Sequence, residues 1–335
     1  MIRVLKKRTV TFLVYILLFI ICGVLPIACN SQQSSSNGTK TLTVGVSPWP
    51  GYASHYVAMA KDLFKAEGVT VKEVFFPNQG DSDSAFLAGK VDLSWQGFPN
   101  SVLQISRDPS IKVIFQGDYS NGADGIIGRN INTGADLKGK KVARENILFE
   151  ELLLRKYLQK LGLSRNDVTT VDLSAADAAA AFTAGKVDLA VTFEPWMTKA
   201  AKEGKGAVVF STKDSNVIPD GILARQDLIQ KNQKEILAYL RAIDKAIKLI
   251  REKSSEVTDI IAKSLSIKAA EVPEQMGGVK LYDVQMNKTI SFTQSEPMGL
   301  FNSIDFASKA AKEMNLIPQP IDVKAALDDS FVKAL

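Results

Sequence analysis

Residues 81–93, DSDSAFLAGKVDL, recur ninety-six positions later as DAAAAFTAGKVDL at 177–189, and nine of the thirteen positions are identical. The same offset carries Ala-Asp-Gly-Ile-Ile-Gly-Arg at 123–129 onto Pro-Asp-Gly-Ile-Leu-Ala-Arg at 219–225. Two separate stretches in one register mark duplicated folding units. A period this long, used twice, builds two similar lobes rather than a solenoid. Two lobes leave a cleft between them, and clefts between domains are where small ligands bind.

Outward from the repeat, strands alternate with helices. Leu42–Val46 alternates as a strand and ends in the turn Pro48-Trp-Pro-Gly51, and a helical stripe runs from Ser54 to a stop at Gly68. Strands are predicted at 69–76, 91–95 and 111–115, with helices at 81–88 and 99–106. A second series follows: strands at 141–143, 168–173 and 207–210, a helix at 147–161, and the repeated helix and strand between them. Beyond Gly221 the chain turns helical, with 230–253 the longest helix and others near 255–265 and 299–314. This α/β alternation predicts mainly parallel sheets covered on both faces. The chain is expected to cross between lobes near Tyr119 and near Asp220. Lobe 1 is then discontinuous, formed by 41–119 and 219–335, and lobe 2 is 120–218. Paired crossings can act as a hinge.

The N-terminus reads as an export signal. Arg3, Lys6, Lys7 and Arg8 precede an apolar run from Val10 to Ile21, which leads to Ala28-Cys29. It resembles a bacterial lipoprotein signal, which implies lipidation of Cys29, with 1–28 removed. Pro26 stands where that pattern prefers Leu, and an uncleaved membrane anchor is the alternative. The Ser-rich segment 29–40 then serves as a tether. Without residues 1–28 the formal charge is 37 basic against 36 acidic side chains, so no electrostatic footprint for nucleic acid exists. Both cysteines precede residue 30, and His55 is the only histidine. That composition removes disulfides and His-rich zinc sites, and weighs against a Ser-His-Asp triad. No cofactor is expected.

Val44-Gly-Val-Ser-Pro-Trp-Pro-Gly-Tyr52, both Ala-Gly-Lys-Val-Asp repeats, Asp136-Leu-Lys-Gly-Lys-Lys-Val142 and Glu194-Pro195 together resemble the substrate-binding proteins of ABC importers. The group is the nitrate/sulfonate/taurine one, with the type II periplasmic binding fold, and the resemblance spans about residues 41–315. It implies two pseudo-symmetric α/β lobes, a small-molecule solute in the cleft, permease and ATPase partners in the membrane, and a monomer held outside the cell membrane.

In open α/β sheets, ligands sit beyond the carboxyl ends of the strands. The candidate ligand residues are Trp49 and Tyr52 after the first strand, Trp95 and Gln96 after the repeated strand, and Asp118, Tyr119 and Asp220 at the crossings. Lobe 2 offers Glu145, Asn146 and Glu194. Pro48, Asn78, Gln79 and Phe193 occupy neighbouring strand ends, and Asp124 joins the residues at the crossings. Several have plainer readings. Asp92 and Asp188 suit turns or caps, Asp124 and Asp220 suit hinge strands, Trp95 suits a core, and Glu145 suits the N-terminus of its own helix. Glu194 sits before Pro at the end of a buried strand, a costly place unless it pairs with ligand or with an internal Lys or Arg.

Carboxylates and aromatic faces, with Arg144 as the one nearby base, suit a compact cation or a multi-donor amide. Guanidinium-like and urea-like solutes fit, and Asp118–Asp124 is similar to importers found beside urea- and guanidine-processing genes. The alternatives are an oxyanion or sulfonate held by backbone N–H groups, an enzyme of the related pyrimidine-biosynthesis fold group, and a sensor domain.

Overall fold

The computed structural model describes residues 41–131, 133–215, 218–296 and 298–335. The signal segment, Cys29 and the tether lie outside the described residues. The strands in chain order are β1 Leu42–Val46, β2 Val71–Phe75, β3 Leu93–Gly97, β4 Ile111–Ser120, β5 Asp124–Gly128 and β6 Lys141–Arg144. They continue with β7 Thr169–Asp172, β8 Leu189–Phe193, β9 Ala207–Ser211, β10 Pro219–Arg225 and β11 Val279–Leu281. One sheet has the order β11-β4-β10-β3-β1-β2 and the other β7-β6-β8-β5-β9.

The sheets are mixed rather than mainly parallel, which corrects the expectation from sequence. β1 runs parallel to β2 and β3, and β6 parallel to β7 and β8. By contrast, β10 is antiparallel to β3 and β4, and β5 is antiparallel to β8 and β9. The crossings explain this. A strand entered from the other sheet starts at the cleft and runs away from it, against its neighbours. Asp124 and Asp220 therefore stand at the cleft ends of β5 and β10, although each lies at the start of its strand.

Each repeat folds the same way. Helices Gln79–Leu87 and Ala175–Thr183 are capped by Asn78 and Ser174, whose side chains accept from the N–H groups of Asp81 and Asp177. Each then turns through a glycine at φ +71°, Gly89 or Gly185, a conformation that other residues adopt at a cost. Asp92 accepts from the Thr43 N–H and Asp188 from the Lys141 N–H, each at 2.9 Å, tying the repeated strand to its parallel neighbour. Arg129 lies over the Phe182 ring at 3.9 Å, and its counterpart Arg225 over the Phe86 ring at 4.9 Å. Both arginines also donate to backbone carbonyls, Arg129 to Phe182 and Gly204 and Arg225 to Phe86 and Val91.

The second sheet is covered on both faces, as adjacent residues show: Ile126 packs with Leu153 and Phe210, while Ile127 packs with Phe182 and Met197. Against the first sheet, helix Gln233–Arg251 buries Ile236, Tyr239, Leu240, Ile243 and Ile247, spacings that keep one face inward. Each such aliphatic side chain contributes about 1.5–3 kcal/mol when buried. The helix expected at 230–253 is broken at Asn232, whose φ of −131° ends helix Gln226–Lys231 before the longer one begins.

Candidate functional site

After β1 the chain must turn sharply, and Pro48-Trp-Pro-Gly does this with a short 3-10 helix, Pro50–Tyr52. Tyr56 braces the turn: its hydroxyl donates to the Ser47 carbonyl at 2.7 Å. Trp49 is held at both ends. Its indole N–H donates to Asp118 Oδ1 at 3.0 Å, and its ring meets Phe193 of β8 edge to face at 5.8 Å. Gly51 is required here, because a Cβ would lie 2.2 Å from Cγ of Asp118.

Between the ends of the two sheets lies a small cavity lined by Ser47, Trp49, Tyr52, Gln79, Asp124, Phe149, Phe193 and Asp220. The space open to the centre of a water molecule is only ≈ 10 Å³, about what a single water requires. Aromatic rings from both lobes wall it, and no Lys, Arg or His lines it.

Three carboxylates dominate its electrostatics. Asp118 is 0% exposed, Asp124 3% and Asp220 5%, and Asp220 pairs directly with Asp118 in the β10–β4 register. Each leaves its Oδ2 without a hydrogen-bond partner. Burial, with Asp124 nearby, pushes Asp118 up to about 8, although the Trp49 indole opposes the shift. Burial, with Glu194 nearby, raises Asp124 to about 7. Burial and then the charges of Asp118 and Asp124 hold Asp220 well above the ordinary carboxylate range. Buried acids without a basic partner are costly. Of the three, Asp124 and Asp220 line the cavity itself.

Of the residues singled out from sequence, Trp49, Tyr52 and Asp220 line this cavity and Asp118 stands directly behind Trp49. Trp95 does not reach it: its ring packs behind Tyr52 at 5.1 Å and its N–H donates to the Tyr239 hydroxyl at 2.7 Å. Gln96 is enclosed on the first sheet and pairs with Gln104. Tyr119 is buried on β4 opposite Pro219 and is not among the lining residues. Glu145 and Asn146 line a wider groove between the lobes, where Glu145 Oε1 accepts from the Gly80 N–H at 2.7 Å. Glu194 faces its own helix, accepting from the backbone and the hydroxyl of Thr198. Arg144 pairs with Glu151 at 3.2 Å and is occupied within its lobe.

Gln79 and Phe193 were legible as strand-end residues and Asp124 as a crossing residue. Ser47 and Phe149 were not, and Phe149 belongs to helix Leu148–Lys160 of the opposite lobe.

The profile of the family described as NMT1/THI5 like matches residues 49–256. A putative aliphatic sulfonates-binding protein of Bacillus subtilis is 26% identical, over 98% of this chain and 96% of its own. The alkanesulfonate-binding protein SsuA of Xanthomonas axonopodis pv. citri, solved bound to MOPS, superposes with a TM-score of 0.72 at 19% identity, over 88% of this chain and 100% of its own. The desulfurization enzyme DSZB superposes with a TM-score of 0.65 at 16% identity, over 88% of this chain and 98% of its own. These likenesses show the two-lobed periplasmic binding fold, which binders and at least one enzyme share.

Proposed function

This chain belongs to the NMT1/THI5-like family, and from that premise we propose that it is the exported solute-binding component of an ABC importer whose guest is a small nitrogen-rich cation of the guanidinium kind. The two lobes close on the guest about the paired crossings, the loaded protein delivers it to a membrane permease, and a lipid on Cys29 keeps it at the membrane. The role as a binding component draws support from the relatives, which are named as binding proteins.

The observation that carries the choice of guest is the carboxylate trio Asp118, Asp124 and Asp220, each with an unmatched oxygen at or beside a cavity without a base. A flat cation with many N–H donors meets carboxylates through charge-assisted hydrogen bonds and meets Trp49 and Tyr52 through its faces. Sulfonate binding is the second reading, favoured by the names of the relatives. Against it, an anion here would meet Asp124 and Asp220 in the lining, with Asp118 behind Trp49.

Calorimetric titration of the protein from residue 41 onward with guanidinium, urea, nitrate and taurine tests the choice. Guanidinium is expected to bind, whereas nitrate and the zwitterionic sulfonate taurine are not. Tight nitrate or taurine binding, with guanidinium inert, refutes the cation reading. The anchor is tested separately, because Cys29→Ser is expected to release the protein from the membrane fraction. Retention without any lipid label would instead favour an uncleaved helix.

A further inference from the structure

A chain of side-chain amides runs from the second lobe to the rim of the cavity, and each link dictates the next. The Phe149 N–H can only donate, so Asn100 turns its Oδ1 towards it, at 3.2 Å. The Nδ2 of Asn100 then falls on Asp83 Oδ2 at 3.0 Å. Burial pushes Asp83 up to about 7, although its bonds from Gln79 and Asn100 oppose the shift. Once ionised, the carboxylate can only accept, so Gln79 meets Asp83 Oδ1 with its Nε2, at 2.7 Å. That leaves Gln79 Oε1 facing Ser47 and Tyr52, whose hydroxyls donate to it at 2.8 and 3.4 Å. With its hydrogen drawn towards Gln79, the Ser47 hydroxyl offers lone pairs to a guest, while the single Tyr52 hydrogen is shared between Gln79 and Asp220 Oδ1, the latter at 3.5 Å.

We infer that Asp83 is a positioning residue for specificity: through Gln79 it holds the rim of the cavity as hydrogen-bond acceptors, and so selects a donor-rich guest. This rests on the reading of the cavity as a cation site. Asp83 itself is not among the lining residues and acts only through Gln79. If the Gln79 amide were reversed, its N–H groups would donate to Ser47 and Tyr52, and those hydroxyls would point their hydrogens at the guest. The rim would then suit an anion. The fixed end of the chain is a backbone N–H of the opposite lobe, so the polarity is set only while the lobes are together. In the equivalent helix of the other repeat, positions 175 and 179 are both Ala, and the relay has no counterpart there.

Asp83→Asn is the decisive variant. Its new amide must accept from Asn100, whose orientation Phe149 still fixes, and so presents N–H to Gln79 and drives its reversal against the Trp95 carbonyl, which lies 3.5 Å from Gln79 Nε2. Guanidinium affinity, read by calorimetry, is expected to fall about ten- to a hundredfold, the worth of a hydrogen bond to a charged group. Adding Gln79→Glu to Asp83→Asn restores an acceptor on both sides and should recover about tenfold or more. Gln79→Glu alone should gain nothing, because its outer oxygen then abuts Asp83. Melting temperatures of the three variants report whether each remains folded.

Three results overturn the inference while leaving the cation reading intact. Asp83→Asn binds guanidinium like the wild type, or the double variant fails to recover, or Gln79→Glu changes affinity by the same factor in both backgrounds. The last would mean plain Coulomb attraction. A wild-type protein that ignores guanidinium and binds nitrate or taurine overturns both together.

Discussion

Helices Gln79–Leu87 and Ala175–Thr183 are copies of one unit, yet only the first carries polar chemistry into the cavity. Their shared residues are the ones that fold the unit: the capped start, the buried Phe86 or Phe182 under its arginine, the glycine turn and the aspartate tie. Their differences lie where the copy meets the cavity. Gln79 and Asp83 stand opposite Ala175 and Ala179, and Gly97 opposite Phe193. Even the glycine follows from this, since a Cβ at Gly97 would come within 3.3 Å of both Asp220 Oδ1 and the Phe149 ring. One lobe supplies the aromatic wall at that position and the other must leave room for it. Repetition marks the scaffold, and departure from repetition marks the site.

This division can be broken by treating equivalent positions alike. The largest effect is expected from Phe86→Ala and Phe182→Ala, both at fully buried sites. Each should destabilise by about 3–5 kcal/mol in denaturant melts, and a much milder loss in one of them would mean that the copies are not equivalent scaffolds. Asp124→Ala and Asp220→Ala come next. They occupy matching places at the cleft ends of β5 and β10, and each should weaken guanidinium binding by about 2–5 kcal/mol in calorimetry. A loss confined to one of them would assign the site to a single lobe.

The pH dependence follows from the raised acids. Asp118 at about 8 and Asp124 at about 7 bind protons in the folded protein that the unfolded chain has released above its ordinary carboxylate range. The folded state thus holds more protons between about pH 4 and 8, and the ligand-free protein should lose stability as pH rises through that window, by of order 4 kcal/mol between pH 6 and 8. Guanidinium affinity should move the opposite way, rising with pH as the carboxylates ionise. Thermal melts with and without guanidinium at pH 6 and 8 read both trends, and a melt that stabilises with pH would contradict the raised values. The smallest pair is Asn78→Ala and Ser174→Ala, each expected to cost about 1 kcal/mol as a lost helix cap. If the Asn78 variant also loses affinity, the cap helps to position Gln79.

Much of the scaffold was legible because it is local. Hydrophobic spacing and glycine stops located the strands and helices, and the constant offset of the repeat located the duplicated unit. Strand direction was not legible for β5 and β10, because it depends on which sheet the chain is leaving. At the site, the strand-end rule reached Trp49 and Tyr52 and the crossings reached Asp220, but the rule identifies an end and not a face. Trp95 and Gln96 occupy the right end of β3 and point into a sheet buried on both sides. Glu194 looked unmatched because its partner was sought among cations, whereas Thr198, one helical turn on, already supplies two donors. Phe149 carried no local signal at all, since only tertiary packing brings it across from the other lobe.

The unmatched oxygens of Asp118, Asp124 and Asp220 bear on more than affinity. If those acids are answered only by the solute, then bringing the lobes together around nothing is electrostatically discouraged, and the solute acts as the mortar between them. The outline of the molecule then becomes a message. A permease that feels only whether the two halves are apart or together would learn from that outline alone whether there is cargo to collect, and where the three acids are ionised their unneutralised charge would hold down idle cycles of its ATPase.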